Sequence, residues 1–217
     1  MGVFSRKKVT EDVPVEENPA LSIGAYSAQE SPGDVLVLPE GASDWDAAAP
    51  VGCASLRRSM QFQQLHPDAA VMPVRGNVLT RLEKLDRGEY GALILAEAGL
   101  KRLDLSHRIH QRFSPEQMVP AAGQGVMVTQ SRAGEYAELL EKLNHPDVAL
   151  CAKTERRLSA LLGGDCSAPV GCHARCSGTQ MTLYGFSGMG GVPKRAVVQG
   201  NARDAAVLAE ELARQLA

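Results

Sequence analysis

Short apolar runs alternate with longer amphipathic runs between residues 50 and 102. The apolar runs PVGCA, AAVMPV and GALILA have the length and composition of buried strands. The runs between them, LRRSMQFQQLH and RGNVLTRLEKLDRG, have helical spacing. Ser55 and Asn77 are the expected N-caps, Gly88 is the expected C-cap of the second helix, and Pro67 ends the first. This order of strand, helix, strand, helix and strand predicts a parallel α/β sheet.

Weaker patterns flank this unit on its N-terminal side. Two strands are expected in LSIGAYSA and GDVLVLPEG, the second closed by a proline–glycine turn. Residues 1–20 are polar and contain prolines, so we expect irregular structure there.

The pattern changes after Pro120. A glycine turn and a strand are predicted in AAGQGVMVTQ, followed by helices in GEYAELLEKLN and DVALCAKTERRLSALLGG. Strands QMTLYGFSG and RAVVQG follow, separated by the turn MGGVPK, and RDAAVLAEELARQLA predicts a last helix. These elements indicate a small α+β domain, with the boundary between the two regions near residues 120–146.

Composition narrows the classes of partner. The 217 residues are 44% apolar and 22% charged, as in soluble globular proteins. A net charge of −2 and an aromatic content of 4% argue against nucleic-acid or acidic-membrane partners. There is no apolar run long enough to span a membrane and no signal-peptide core at the N-terminus. The odd count of five cysteines favours a reducing cytoplasm over a disulfide scaffold.

Basic residues follow all three strands of the predicted parallel sheet. The carboxyl ends of such strands form the usual ligand-binding edge, and helix N-termini there attract anions. Guanidinium groups at this edge suit carboxylates or phosphates, so we expect an extended polyanionic ligand. Surface ion pairing is the alternative for any single arginine. The residues are Arg57 and Arg58, then Arg75 and Arg81, then Lys101 and Arg102.

The segment LSALLGGDCSAPVGCHA, residues 158–174, places Cys166 in a glycine–proline turn, where reactivity explains a thiol better than packing does. Zinc binding by Cys166, Cys172, His173 and Cys176 is an alternative, although their spacing is not that of paired C-x2-C ligands. Cys172 and His173 would also point apart in an extended strand. Unremarkable free thiols are the other alternative. The GQG at residues 123–125 is too short for a dinucleotide fingerprint.

Several of these segments occur together, and in the same order, in a known family. The segments VGCASLRR, RGNVLTRLEKLDRGEYGALILAEAGLKRL, MVPAAGQG, LNHPDVALCAKTERRL and LGGDCSAPVG resemble those of the porphobilinogen deaminase (hydroxymethylbilane synthase) family. The likeness covers about residues 12–200. It implies an α/β fold, with a periplasmic-binding-protein-like parallel or mixed sheet domain at 33–123 and a small C-terminal α+β domain at 144–217. Residues 1–32, with 124–143, would be the remnant of a first domain.

The resemblance implies a transferase of tetrapyrrole (heme and porphyrin) biosynthesis. Such enzymes condense four porphobilinogen molecules stepwise, with loss of ammonia, onto a dipyrromethane cofactor. The cofactor would be held by a thioether bond to Cys166, and no metal is implied. Each pyrrole carries an acetate and a propionate, so the growing chain matches the polyanion that the arginines suggest.

Roles follow residue by residue from the matching motifs. The resemblance implies cofactor binding by Ser55, Arg57, Arg58 and Arg81, and substrate binding by Arg75, Arg102 and Gln124. Asp12 of TEDVP stands where the family has its catalytic aspartate. Its carboxylate would stabilise positive charge on a pyrrole nitrogen as ammonia leaves.

The chain departs from the family before Asp12. Only eleven residues precede Asp12, and Glu11 stands where the family has a lysine. Two hypotheses follow. The chain is a transferase, either as a fragment of one or completed by a separate polypeptide that supplies the rest of the first domain, or it is an inactive truncated remnant that at most binds pyrrole carboxylates.

Overall fold

The computed structural model describes residues 20–132, 134–165 and 167–217. Asp12 and Cys166 lie outside the described residues. The strands are β1 (Ser22–Tyr26), β2 (Asp34–Val37), β3 (Val51–Gly52), β4 (Val71–Met72), β5 (Ala92–Ala96), β6 (Ile109–Arg112), β7 (Val128–Ser131), β8 (Val170–Ser177), β9 (Gln180–Ser187) and β10 (Lys194–Asn201). The helices are α1 (Leu56–Leu65), α2 (Val78–Asp86), α3 (Glu97–Arg102), α4 (Ala137–Leu143), α5 (Pro146–Leu161) and α6 (Ala205–Leu216).

Five strands form a mixed sheet in the order β4-β3-β5-β2-β6. Strand β3 pairs in parallel with both β4 and β5, which confirms the predicted strand–helix–strand unit. The sheet as a whole is mixed, because β2 runs antiparallel to β5 and to β6. Strand β6 was not predicted, since its sequence IHQR contains a single apolar residue and lies at the sheet edge.

Both faces of this sheet are covered by helices. Side chains along a strand alternate between faces, and β2 shows this with apolar residues on both sides. Val35 and Val37 pack with residues of α2 and α3, whereas Leu36 packs on the opposite face with Phe62 of α1. The unit is therefore a three-layer α/β/α arrangement with β2 and β5 at its buried centre.

The predicted helix caps are confirmed. The Ser55 hydroxyl accepts a hydrogen bond from the Arg58 backbone N–H, and the Asn77 side chain accepts one from Thr80 N–H at 2.9 Å. Gly88 follows α2 with a φ of +81°, a conformation that favours glycine. The segment EAGL after β5 begins α3, so Arg102 lies in the last turn of a helix.

The C-terminal region is a three-stranded antiparallel meander, β8-β9-β10, packed against α5 and α6. Strands β9 and β10 and the flanking helices agree with the predicted α+β unit, whereas β8 was not predicted as a strand. Strand β8 occupies VGCHARCS, part of which was expected to belong to the cysteine turn. A two-residue turn with Gly178 at φ +58° joins β8 to β9.

A separate two-stranded sheet pairs β1 with β7. Strand β1 contacts α4 and α5, and Tyr26 packs with Val126 and Ala152 in a small apolar cluster. Within the described ranges, no helix combines the length and apolar character needed to cross a membrane.

Candidate functional site

A cavity of about 300 Å³ lies beyond the carboxyl ends of β3 and β5. The chain passes from β3 to β4 on one side and then returns to β5 on the other, so the strand order reverses at β3. Ligands of open α/β sheets bind at such a reversal. Its polar lining brings together four of the predicted residues, Arg58, Arg81, Arg102 and Gln124.

Arg58 reaches the cavity from the first turn of α1. Its Nε donates to Asp34 Oδ1 at 2.7 Å, and its Nη2 donates to Gln124 Oε1 at 3.2 Å. The side chain is 14% exposed. One edge of the guanidinium is thus held by protein while the group still borders the cavity.

Arg57 lies behind Arg58, away from the cavity, and is 3% exposed. Its Nη1 donates to Asp34 Oδ2 at 2.7 Å and to the Val119 carbonyl at 2.6 Å, and its Nη2 donates to Gln124 Oε1 at 3.3 Å. These partners all belong to the protein, and Arg57 is absent from the cavity lining. The geometry favours a supporting role over the predicted direct contact with a ligand carboxylate.

Asp34, which the sequence analysis did not single out, joins these two arginines. It is the first residue of β2 and is 0% exposed. Burial alone would raise the pKa of this carboxyl, but the charges and hydrogen bonds of Arg57 and Arg58 outweigh burial and lower it. A carboxylate at the start of a fully buried strand requires a cationic partner. The available sequence signal was therefore the acidic residue at the start of the apolar run DVLV.

Gln124 is placed by the tight turn of residues 123–125. Gly125 has a φ of +82°, and a Cβ there would lie 2.4 Å from the Glu30 carbonyl, so only glycine fits. The Gln124 Nε2 donates to the Pro32 carbonyl at 2.5 Å and to Asp34 Oδ1 at 2.9 Å. The GQG segment therefore positions an amide at the cavity.

Arg81 adds a second guanidinium from α2. Its Nε donates to the Gly76 carbonyl at 2.8 Å. No carboxylate in the described part of the chain forms an ion pair with Arg81 within 4.0 Å. Burial, followed by the positive charge of Arg58, lowers the pKa of Arg81, although a guanidinium stays charged at neutral pH. Like charges facing one cavity favour an anionic ligand there.

Two other predicted residues lie outside the cavity lining. Arg75 is exposed and follows β4, which is the outer strand beyond β3. The Ser55 hydroxyl is engaged as the cap of α1. Seven of the residues that the resemblance assigned to cofactor or substrate binding are described. Four of them lie at the cavity, Arg57 and Ser55 lie in the supporting layer at the start of α1, and Arg75 lies at the sheet edge.

The cysteines of β8 do not converge with His173. Cys172 is 0% exposed in the C-terminal core, and Cys176 Sγ lies 3.4 Å from Cys151 Sγ. His173 Nδ1 lies 3.3 Å from Glu155 Oε1. Neighbouring residues of a strand face opposite sides, as the sequence argument expected. Among the described residues, no group of three or more His, Cys, Asp or Glu is placed to hold a metal ion.

Comparisons with known proteins give a consistent family assignment. A family model described as porphobilinogen deaminase, dipyromethane cofactor binding domain, matches residues 5–139, and one described as its C-terminal domain matches residues 149–217. A protein named porphobilinogen deaminase from Acetivibrio thermocellus is 44% identical over 175 residues, covering 81% of this chain and 60% of the relative.

Two further relatives carry the same name. One from Ruminiclostridium josui is 39% identical over 208 residues, covering 94% of this chain and 70% of the relative. One from Coxiella burnetii is 38% identical over 209 residues, covering 94% of this chain and 68% of the relative. The chain therefore spans 60 to 70% of the length of these relatives.

Proposed function

This chain belongs to the porphobilinogen deaminase family, and we propose that it acts in tetrapyrrole biosynthesis as a transferase that condenses porphobilinogen stepwise. The observation that carries the proposal is the meeting of three arginines, from three separate segments, at one cavity. The alternative, an inactive remnant that only binds pyrrole carboxylates, is not favoured by the family match.

The side chains at the cavity suit the dipyrromethane cofactor of the family. Its two pyrroles carry several carboxylates, and guanidinium groups bind carboxylates through paired charge-assisted hydrogen bonds. When bound, the group would supply the free pyrrole carbon to which the first porphobilinogen is joined, and later units would extend the chain from its newest pyrrole. Arg58, Arg81 and Arg102 hold acetate and propionate groups in this proposal, and Gln124, whose amide contacts Arg58, lines the site beside them.

The remaining predicted residues enter the proposal in other roles. Cys166 carries the cofactor by a thioether bond, and Asp12 stabilises positive charge on the reacting pyrrole. Arg57 and Ser55 support the start of α1, behind the ligand, and Arg75 adds a weak, solvent-exposed contact with substrate at the outer edge of the site. Asp12 and Cys166 lie outside the described residues, so their roles rest on their motifs.

The finer aspects of architecture are proposals as well. We propose that residues 33–123 form a periplasmic-binding-protein-like domain, supported by the order reversal at β3. Residues 144–217 form the C-terminal domain, and residues 1–32 with 124–143 belong to a first domain, supported by the pairing of β1 with β7. The proposed location is the cytoplasm.

A separate polypeptide that completes the first domain is the proposed protein partner. The support is the small sheet formed by β1 and β7, because within the described residues both strands are edge strands whose outer backbone groups pair with no further strand. Porphobilinogen is the proposed small-molecule partner.

Mass spectrometry of the Cys166 peptide tests the proposal. The purified chain is incubated with porphobilinogen, digested, and mapped for a dipyrromethane adduct, with calorimetry of porphobilinogen binding in parallel. We expect the adduct on Cys166, whereas an adduct on Cys53 or Cys176 contradicts the assigned attachment site. Binding without any adduct supports the inactive remnant, and neither binding nor adduct overturns both.

A further inference from the structure

We propose that Asp34 is a positioning residue that fixes the orientation of Arg58 and Gln124 at the cavity. The identity of the ligand rests on the proposed function, but the positioning role rests on the contacts of Asp34 itself. Asp34 is buried and absent from the cavity lining, so it acts on a ligand only through its neighbours.

Both oxygens of the Asp34 carboxylate are engaged. Oδ2 accepts from Arg57 Nη1 at 2.7 Å, and Oδ1 accepts from Arg58 Nε at 2.7 Å and from Gln124 Nε2 at 2.9 Å. Arg58 and Gln124 are also joined to each other at 3.2 Å. One carboxylate thus connects the start of β2, the first turn of α1 and the GQG turn.

This arrangement leaves Arg58 able to bind a ligand. A guanidinium has five N–H donors. The contacts to Asp34 and Gln124 use the Nε and one Nη2 donor, which leaves three of the five donors for a ligand in the cavity that Arg58 lines. A long arginine side chain without such an anchor loses rotamer freedom on binding, and that loss weakens affinity.

Positioning and simple charge predict opposite effects at Asp34. A negative charge behind the cavity arginines repels an anionic ligand. If Asp34 acted only through its charge, removing that charge would therefore tighten binding. If Asp34 orients Arg58 and Gln124, removing its charge weakens binding instead. The sign of the change therefore separates the two effects.

Glu97 provides the matched control. It is another buried carboxylate, 5% exposed, paired with Arg112 Nε at 2.9 Å and accepting the Ser31 hydroxyl at 2.5 Å. Its neighbours Ala96 and Ala98 line the cavity, yet among the described residues Glu97 forms no hydrogen bond or ion pair with Arg58 or Gln124. Glu97→Gln removes the same charge from the same region without touching the cavity side chains.

The experiment is calorimetry of porphobilinogen binding to the full chain, with folding checked by thermal denaturation. We expect Asp34→Asn to weaken binding about tenfold or more, and Glu97→Gln to leave it unchanged or slightly tighter. Binding by Asp34→Asn that equals or exceeds that of Glu97→Gln overturns the proposal.

A second pair of variants covers the case in which Asp34→Asn does not fold. Asp34→Asn removes the partner of the buried Arg57, and an unpaired buried charge is strongly destabilising. The double variant Asp34→Asn/Arg57→Met removes both charges and keeps the net charge constant. It is compared with Arg57→Met, which retains the Asp34–Arg58 pair, and weaker binding by the double variant is expected, whereas equal binding contradicts the proposal.

Nuclear magnetic resonance tests the positioning without any ligand. The Arg58 Nε–H of the unaltered chain should exchange with water much more slowly than that of the exposed Arg75 and should shift in Asp34→Asn. Equal exchange for the two arginines overturns the proposal. Slow exchange in a chain that does not bind porphobilinogen shows that the proposed function has failed while the positioning role of Asp34 stands.

Discussion

The Glu155 carboxylate accepts a hydrogen bond from the backbone N–H of Gly123 at 2.6 Å. Its other oxygen accepts one from the Ala174 N–H of β8 at 2.8 Å, and the side chain is 1% exposed. Helix α5 therefore ties the C-terminal sheet to the turn that presents Gln124. Because the buried Glu155 side chain accepts hydrogen bonds from both, the stability of the C-terminal sheet is coupled to that of the turn at residues 123–125.

Replacing Glu155 by alanine should destabilise the whole chain. The change leaves the buried Ala174 N–H and the half-buried Gly123 N–H without an acceptor, at a cost of about 1–3 kcal/mol each and less where water can reach the group. We expect a loss of about 2–5 kcal/mol in the free energy of unfolding, measured by urea denaturation. Glu210→Ala is the control, because its pair with Arg157 is exposed and should contribute less than about 1 kcal/mol. Equal losses in the two variants would contradict the coupling.

Asp34 should make stability dependent on pH in the acid range. Its pKa is lowered in the folded chain, because the Arg57 and Arg58 charges outweigh burial, whereas an unfolded aspartate titrates at about 3.9. The stabilisation is therefore complete above that value and is lost as pH falls through the folded pKa. The difference in unfolding free energy between the unaltered chain and Asp34→Asn should be largest near neutral pH and shrink below about pH 4. A difference that stays constant from pH 7 to pH 3 contradicts this.

The sequence predicted the regular elements with clear periodicity and missed those without it. Strand β8 is buried on both faces over most of its length, so VGCHARCS has no apolar–polar alternation to find. Helix α3 has six residues and contains Gly99, so it resembles a turn. Both β8 and α3 depend on packing against neighbouring elements, and local sequence patterns contain no information about that packing.

The cavity was predictable in part. Arginines after successive strands indicated an anion site, and the order of strands brings Arg58, Arg81 and Arg102 to it. The pattern could not separate Arg81 from Arg75, because the separation depends on β4 being the outer strand. It also missed Asp34, whose contact with Gln124 joins residues 90 positions apart.

The two glycines of the GQG turn should respond differently to substitution. Gly125→Ala would place a Cβ 2.4 Å from the Glu30 carbonyl at a φ of +82°, so we expect a loss of more than about 2 kcal/mol. Gly123 has a φ of +71° but open space around its Cβ position, so Gly123→Ala should cost only about 1 kcal/mol. Urea denaturation of both variants measures the difference, and a larger loss for Gly123→Ala would show that the turn has another geometry.

Two cysteines should resist alkylation in the native chain. Burial, followed by the hydrogen bond with Cys176, raises the pKa of Cys151 to about 12. Burial, followed by the negative charge of Glu155, raises the pKa of Cys172 well above its ordinary value. Because the thiolate is the reactive form, iodoacetamide at pH 8 should leave both unmodified until urea is added. Peptide mapping by mass spectrometry measures this, and native labelling of Cys172 as fast as that of the partly exposed Cys176 would contradict it.

The last prediction separates Arg81 from Arg75, which the motif RGNVLTR presents as equivalent. Arg81 lines the cavity, whereas Arg75 is exposed after the outer strand. A charge-assisted hydrogen bond to a carboxylate contributes about 1.5–3 kcal/mol. Arg81→Met should therefore weaken porphobilinogen binding about 10- to 100-fold, while Arg75→Met changes it less than about threefold.

Salt dependence supplies an independent measure of the same difference, because ionic contacts between partly exposed groups weaken as ionic strength rises. The unaltered chain should lose affinity for porphobilinogen between low and high salt, and Arg75→Met should show the same dependence. Arg81→Met removes one of the cationic contacts, so its affinity should fall less steeply with salt. Calorimetry at several salt concentrations gives the three slopes. If Arg75→Met had the larger effect on both affinity and slope, the ligand would bind at the outer edge of β4 and not in the cavity between β3 and β5.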